Sequence, residues 1–394
     1  MGSEQPAIDV SVVIPCLNEA NSIGYCVEKA VSAFQESGLR GEVIVSDNGS
    51  TDGSIEISEK LGARVIRVEQ KGYGAALQAG IRASRGAFIV MGDADDSYDF
   101  TEVPRFVEAW RRGFDVVMGN RFRGEIKPGA MPWHHKYIGN PVLSGVLNVL
   151  FRANIGDSHC GMRGFTRGIF DKMDLRSTGM EFASEFVIKA AQLDAKMTEI
   201  PITLWKDKRG RPPHLRSFRD GWRHLRFMLL YSPRWLFLIP GLLLLTIGGA
   251  ALTWLLPGPR RFLGGVVLDV HTLVYAAAAV LIGFQAVAFA AFSKVFAIEE
   301  GLLPRDPTLD RVFKYVTLET GMVLGILLVI AGFAGTGASI FYWREQSFGP
   351  LDPARVLRAV IPSALAIALG SQVIFSSFFM SVLGLRIRRQ EQSK

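Results

Sequence analysis

The chain of 394 residues has only three cysteines, Cys16, Cys26 and Cys160, an odd number without metal-ligand spacing. Ordinary reduced thiols of a cytosolic domain are therefore expected, rather than a disulfide framework or a thiolate metal module. No Gly-Lys-Ser/Thr closes a glycine-rich loop, which excludes a P-loop, and the chain has no tandem repeat or low-complexity tract. The opening "MGSEQPAIDV" has neither a basic start nor an apolar stretch, so a secretory leader is not expected. Pro6 stands where myristoylation requires Ser or Thr. The most informative absence is that of charge. Trp235–Leu256, Gly321–Trp343 and Ala359–Leu385 contain no charged residue, and Val270–Phe292 has only His271 and Gln285 as strongly polar groups.

A helix of 22 residues is about 33 Å long, enough to cross a hydrocarbon core of about 30 Å. One such run suits the interior of a large soluble protein, but four call for a membrane. The predicted layout is a soluble domain over 1–213, a juxtamembrane helix over 214–234, and a membrane domain over 235–394 with spans at 235–256, 270–292, 321–343 and 359–385. Lys and Arg mark the cytoplasmic loops of such proteins. Arg216, Arg219, Arg223, Arg226 and Arg234 precede the first span, Lys294, Arg305, Arg311 and Lys314 separate the second and third, and Arg386, Arg388, Arg389 and Lys394 end the chain. The opposite loops hold only Arg260, Arg261, Arg344, Arg355 and Arg358. This bias predicts a multi-pass protein of the cell (inner) membrane, with the soluble domain and the C-terminus in the cytoplasm. The net charge of +7 gathers beside the spans, so the lipid bilayer, and not nucleic acid, is the expected partner.

Before the spans, short β-branched runs alternate with helical patterns. "VSVVIP", "EVIVSD", "ARVIRVE", "AFIVMGD" and "FDVVMGN" are nearly continuous apolar stretches, as in strands buried on both faces. Helices are predicted over 21–36, 54–61, 73–84 and 102–112. This alternation predicts a Rossmann-like α/β domain with a mostly parallel sheet, whose ligands bind at the carboxyl ends of the strands. Polar groups stand at four of those ends: Asn18 and Glu19; Asp47-Asn48-Gly49-Ser50-Thr51-Asp52; Asp93-Ala94-Asp95-Asp96; and Asn120-Arg121. Alone, each reads as a turn or a helix cap; four coinciding ends point to a site. "KGYGAAL" imitates a dinucleotide fingerprint, but Leu77 occupies its third glycine position and it does not follow the first strand. Lys71 and Gly74 remain as candidate donor contacts.

"VSVVIPCLNEA", "VIVSDNGSTD", "GDADDSYDF" and "GNRF", in this order, resemble the family 2 glycosyltransferases of the GT-A fold. "HCGMRGF", "MEFASEFVIKA" and "EIPITLW" extend the likeness to the polyprenyl-phosphate subgroup, similar to dolichyl-phosphate mannose and glucose synthases, over about residues 10–230. The resemblance implies that Pro15, Leu17 and Glu19 form the base pocket of a sugar nucleotide, with Val45 and Asp47 at its base and ribose. It implies an Asp-x-Asp motif at Asp93-Ala94-Asp95, with Asp95 ligating Mg²⁺ or Mn²⁺ directly and Asp93 toward ribose or metal-bound water. Arg121 matches an arginine near the donor or acceptor phosphates. The family's Arg-x-Gly-x-Ser-Lys segment is replaced by "KRGRPPHLR", which leaves Lys208, Arg209 and Arg211 as alternatives, with Arg209 taken as the substrate contact.

These residue types suit the chemistry. Hard cations take carboxylate oxygens together with substrate phosphates, and a departing nucleoside diphosphate needs its charge neutralised. The expected reaction moves a hexose from a nucleotide sugar (UDP-glucose or GDP-mannose type) to a polyprenyl phosphate, dolichyl or undecaprenyl, with inversion. A phosphate nucleophile is already ionised near neutral pH, so no general base is expected. Asp96 and Asp99 are expected to be turn or cap residues, and Glu181 and Glu185 to act structurally. "SFRDGWRHLRFMLLYS" spaces Phe218, Trp222, Leu225 and Leu229 along one face, as in an interfacial helix. A processive polysaccharide synthase would carry Gln-x-x-Arg-Trp where "YSPRW" has Tyr231. A transporter or scaffold is the rival of another class; transport would be supported by intramembrane charges, which the spans lack. The spans read as an anchor, a homo-oligomerisation surface or a lipid groove.

Overall fold

A computed structural model of the protein describes residues 8–208, 217–261, 263–300, 303, 306 and 317–391. The chain divides into two units, residues 1–228 and 229–394.

In the first unit, strands β1 (Val10–Cys16), β2 (Gly41–Asp47), β3 (Arg64–Arg67), β4 (Phe88–Met91), β5 (Val116–Ile126), β6 (Arg163–Thr166) and β7 (Met197–Leu204) form one sheet in the order β3-β2-β1-β4-β6-β5-β7. The pairs β1–β2, β1–β4, β2–β3 and β5–β7 are parallel, and β6 runs antiparallel to both β4 and β5. The continuous apolar runs have the expected cause. Val10, Val12 and Ile14 face a core that includes Val90, Phe100 and Phe106, while Val13 on the opposite face is equally buried.

Helices α1 (Ile23–Ser37), α2 (Ser54–Lys60), α3 (Tyr73–Ala83) and α4 (Val103–Arg111) follow the first four strands. Gly80 lets α3 approach the sheet, because a Cβ there would lie 2.6 Å from Val13 Cγ1. Three helices lie between β5 and β7: α5 (Asn140–Phe151), α6 (Arg167–Met173) and α7 (Phe182–Gln192). The helix α8 (Ser217–Leu230) buries His224 and Met228 and leaves Trp222 exposed. In the sequence β6 is hidden: four residues, Arg-Gly-Phe-Thr, show no period, and only pairing on both edges makes them a strand.

Among its described residues the second unit has four helices long and apolar enough to cross a membrane. A wide helical turn at Arg234–Leu238 leads into α9 (Ile239–Leu255); α10 (Val270–Glu299), α11 (Leu318–Glu345) and α12 (Pro353–Glu391) follow. These helices outrun the uncharged stretches, because backbone hydrogen bonding continues into polar ends where side chains reach water. Small residues bring them close. A Cβ on Gly241 would lie 2.9 Å from the Gly283 carbonyl, and one on Gly325 would lie 2.8 Å from that of Gly370. Arg358 donates to Asp269 and to the Leu255 carbonyl, joining the ends of three helices.

Phe106 lies fully buried where α4 packs on the sheet. Phe106→Ala is expected to cost about 3–5 kcal/mol, read in detergent as a fall of about 6–20 °C in the unfolding midpoint of the first unit. A shift below about 2 °C would place the core elsewhere.

Candidate active site

The carboxyl ends of β1 and β2 are paired, Cys16 with Asp47. The loops that follow are sewn together. The Asn18 N–H donates to Ser50 Oγ (2.8 Å), the Thr51 N–H to Asn18 Oδ1 (2.8 Å), the Glu19 N–H to Ser54 Oγ (2.9 Å) and the Ala20 N–H to Asp52 Oδ2 (2.9 Å). The Asp47 carboxylate accepts from the N–H groups of Gly49 (2.9 Å) and Ser50 (3.1 Å), so it shapes the "DNGSTD" turn. Asn48, read from the sequence only as part of a polar turn, is a hub. Its amide donates to the carbonyls of Val68 and Gln70 and its Oδ1 accepts from the Gly72 N–H, while its own carbonyl accepts from Lys71 Nζ (2.6 Å). Thus Lys71 is pinned beside the β2 loop. Leu17 is exposed, Glu19 is buried with Ser22 Oγ on its carboxylate, and Pro15 is half-buried. Val45 lies in the core with no surface at this edge.

Next along the sheet comes the acidic loop after β4. Tyr73 O–H donates to Asp93 Oδ1 (3.0 Å). Asp95 Oδ1 accepts from the Ser97 N–H (3.0 Å) and hydroxyl (2.5 Å), and its residue is 7% exposed. Ala94 between them is buried. Asp96, at φ 59°, turns away to pair with Lys29 (2.8 Å) and Lys208 (2.7 Å). Asp99 caps the next helical turn through the Thr101 N–H (3.1 Å). Four carboxylates in ten residues therefore serve different ends. Asp96 joins two lysines, Asp99 caps a turn, and Asp93 and Asp95 stand at the loop's start as hard oxygen donors oriented by Tyr73 and Ser97. Among the described residues no group of three or more His, Cys, Asp and Glu gathers. The pair fits a cation that takes one or two carboxylates and fills its shell with phosphate and water, such as Mg²⁺ or Mn²⁺, and not a structural zinc.

The segment after β7 lies against this loop. The Lys208 N–H donates to the Asp95 carbonyl (3.0 Å), the Trp205 N–H donates to that of Ser97 (2.9 Å), and Lys208 Nζ sits 3.9 Å above the Tyr25 ring. Lys208 is thereby brought to the acidic loop; Arg209 and Arg211 lie outside the described residues.

On the far side stands Arg121, 8% exposed and bound to the fully buried Asp157. Burial opposes its charge, but Tyr98 and Asp157 outweigh that and raise its pKa well above the ordinary arginine value. Asp157 lies 36 residues away and was not among the candidates. The loop carrying it is tied down by the fully buried Arg163, which donates to the carbonyls of Ser158, Cys160 and Ala183. The Tyr98 hydroxyl oxygen accepts from the Gly161 N–H (2.9 Å), linking this loop to the acidic one.

Glu181 and Glu185 are both engaged. Glu181 binds Arg223 of α8 (2.7 Å); Glu185, fully buried, accepts from the N–H groups of Arg176 and Ser177 and pairs with Lys189 (3.1 Å).

The family model for glycosyl transferase family 2 matches residues 11–174, and that for the glycosyltransferase family 2 C-terminal transmembrane region matches residues 291–384. Over 376 residues the chain is 40% identical to the low-salt glycan biosynthesis hexosyltransferase Agl6 of Haloferax volcanii, covering 95% of this chain and 89% of that protein. It is 33% identical over 197 residues to a dolichyl-phosphate hexose transferase of the same organism, covering 49% of this chain and 82% of that protein. Among solved structures, glucosyl-3-phosphoglycerate synthase from Mycobacterium tuberculosis in complex with Mn²⁺ and UDP-glucose aligns with a TM-score of 0.45 at 20% identity, over 57% of this chain and 79% of that one.

All three cysteines are free and buried around the site. Burial raises the Cys16 thiol to about 11, burial and the Asp157 charge raise Cys160 to about 12, and burial with Asp96 pushes Cys26 higher still. A raised thiol pKa keeps the unreactive neutral form at physiological pH. Native protein at pH 8 is therefore expected to resist maleimide labelling and to react fully in denaturant. Rapid labelling of the native protein by mass would show that these thiols are open and ionised.

Proposed function

The chain belongs to glycosyltransferase family 2, and from that premise we propose that it transfers a hexose from a nucleoside-diphosphate sugar to the phosphate of a membrane polyprenyl phosphate, with inversion. The observation that carries this reading is the order of groups along the sheet edge. The loops of β1, β2 and β3, with Leu17, Glu19, Asp47 and Lys71, lie on one flank of Asp93 and Asp95, and Arg121 of β5 lies on the other. A nucleotide sugar on the first flank would bring its diphosphate to the carboxylate pair and its anomeric carbon toward Arg121. A divalent cation held there would neutralise charge on the leaving diphosphate.

A membrane acceptor is supported by the segment that follows β5. From Ile126 to Gly156 there is no acidic residue, and Trp133, Tyr137, Ile138, Val142 and Val149 are exposed. Aromatic and aliphatic groups interleaved with His and Lys suit a lipid headgroup layer. Trp222 on α8 is exposed as well. The Lys/Arg bias supports a cytoplasmic location for this unit. A curated relative named dolichyl-phosphate hexose transferase is compatible with the same acceptor class. The nucleophilic phosphate arrives ionised, so the protein has only to align it behind the anomeric carbon and to hold charge.

Purified protein in detergent, given a polyprenyl phosphate and a panel including UDP-glucose and GDP-mannose, is expected to make a lipid-linked hexose detectable by mass. Chelation should stop transfer, and Mg²⁺ or Mn²⁺ should restore it. Asp95→Asn should lose about 10²–10³-fold, corresponding to several kcal/mol of charge stabilisation, whereas Asp99→Asn should stay within about threefold because asparagine caps a helical turn as well as aspartate does. Equal activity of Asp95→Asn and wild type would contradict the assignment.

A further inference from the structure

A guanidinium has two edges that can each make a forked pair of hydrogen bonds. In Arg121 one edge is taken. Nε donates to Asp157 Oδ2 and Nη2 to Asp157 Oδ1, both at 2.7 Å, and the Arg121 N–H donates to Oδ2 at 3.1 Å. The other edge, Nη1 with the second hydrogen of Nη2, has no partner among the described residues. Asp157 is held in turn by Glu199 of β7. Glu199 Oε1 accepts from the N–H groups of Asp157 (3.1 Å) and Gly156 (2.8 Å), and from Asn120 Nδ2 (2.9 Å). Glu199 thus ties the end of β5 to the 156–157 loop, and the frame fixes where the second edge points.

A buried ion pair is a poor way to gain stability, since an apolar pair of equal volume does as well or better. Nor does stability call for an arginine edge left unengaged. Both features make sense if the edge serves a ligand. We propose that Asp157 is a positioning residue: it occupies one edge of Arg121 so that the other presents a single, pre-oriented fork to the acceptor phosphate. The sheet order sets the acceptor side, because β5 lies across β4 and β6 from the nucleotide-side loops of β1 and β2. A guanidinium fixed by two hydrogen bonds to a carboxylate that its own backbone N–H also holds has little rotamer freedom left to lose when phosphate binds. The proposal rests on the reading that the acceptor is a phosphate.

The test titrates full-length protein in detergent with farnesyl monophosphate and, separately, with UDP. Wild type is compared with Asp157→Asn, which keeps shape but loses the holding charge. Asp157→Glu keeps the charge but displaces the fork by one methylene, and it covers the case in which the Asn variant does not fold. Expected is farnesyl phosphate binding by wild type, weakened about 10–100-fold in each folded variant, the worth of one charge-assisted hydrogen bond, with UDP affinity unchanged. Equal farnesyl phosphate affinity in wild type and a folded variant overturns the proposal. So does a UDP affinity that falls by the same factor, or a wild type that does not bind the probe. Sugar transfer by wild type is scored separately: binding without transfer would remove the proposed reaction and leave the positioning role standing.

Discussion

Asp47, Asp95, Asp96 and Asp157 are all buried at one edge of the sheet, and a buried charge without a partner costs several kcal/mol. How each is compensated shapes the edge. Asp47 is met by two backbone N–H groups of its own turn, which closes the β2 loop. Asp96 takes Lys29 from α1 and Lys208 from the segment after β7, so one carboxylate joins parts of the chain far apart in sequence. Asp157 takes Arg121. Asp95 is oriented by the backbone N–H and hydroxyl of Ser97 and stands beside Asp93 as a hard oxygen donor. The edge is thus a set of compensated buried carboxylates.

Much of this was legible in the sequence. The runs ending at Cys16, Asp47, Met91 and Asn120 read as buried parallel strands because β-branched residues filled both faces, and the polar ends then had to gather. Asp96 and Asp99 read as turn or cap residues; Asp99 does cap through the Thr101 N–H, whereas Asp96 sits in the bend at φ 59° but uses its carboxylate to join Lys29 and Lys208. What stayed hidden were pairings across distance. Asp157 lies 36 residues from Arg121, and Lys29 lies 67 from Asp96; no local pattern signals either. Asn48 looked like an ordinary turn residue because its hydrogen bonds run to Val68, Gln70 and Gly72. Val45 shows the opposite: likeness to the family suggested a ligand contact, whereas its place inside β2 gives it only core neighbours.

The two acidic side chains that most invite a catalytic role are Glu181, just before α7, and Glu185 in its first turn. Their surroundings argue otherwise. Glu185 has no exposure and is saturated by two N–H groups and Lys189; Glu181 holds Arg223. A sugar hydroxyl would need a carboxylate or imidazole poised to take its proton, whereas a phosphate acceptor needs only placement and charge. If charge and alignment suffice for the proposed transfer to phosphate, neither glutamate has a proton to take. This is tested most directly by the single-turnover rate of Glu181→Gln and Glu185→Gln with saturating polyprenyl phosphate between about pH 6 and 9. Expected are rates within about tenfold of wild type and parallel to it across that range, as for groups that act by structure. A loss of about 10³-fold that recovers as pH rises would be the signature of a lost base and would contradict direct attack by the phosphate.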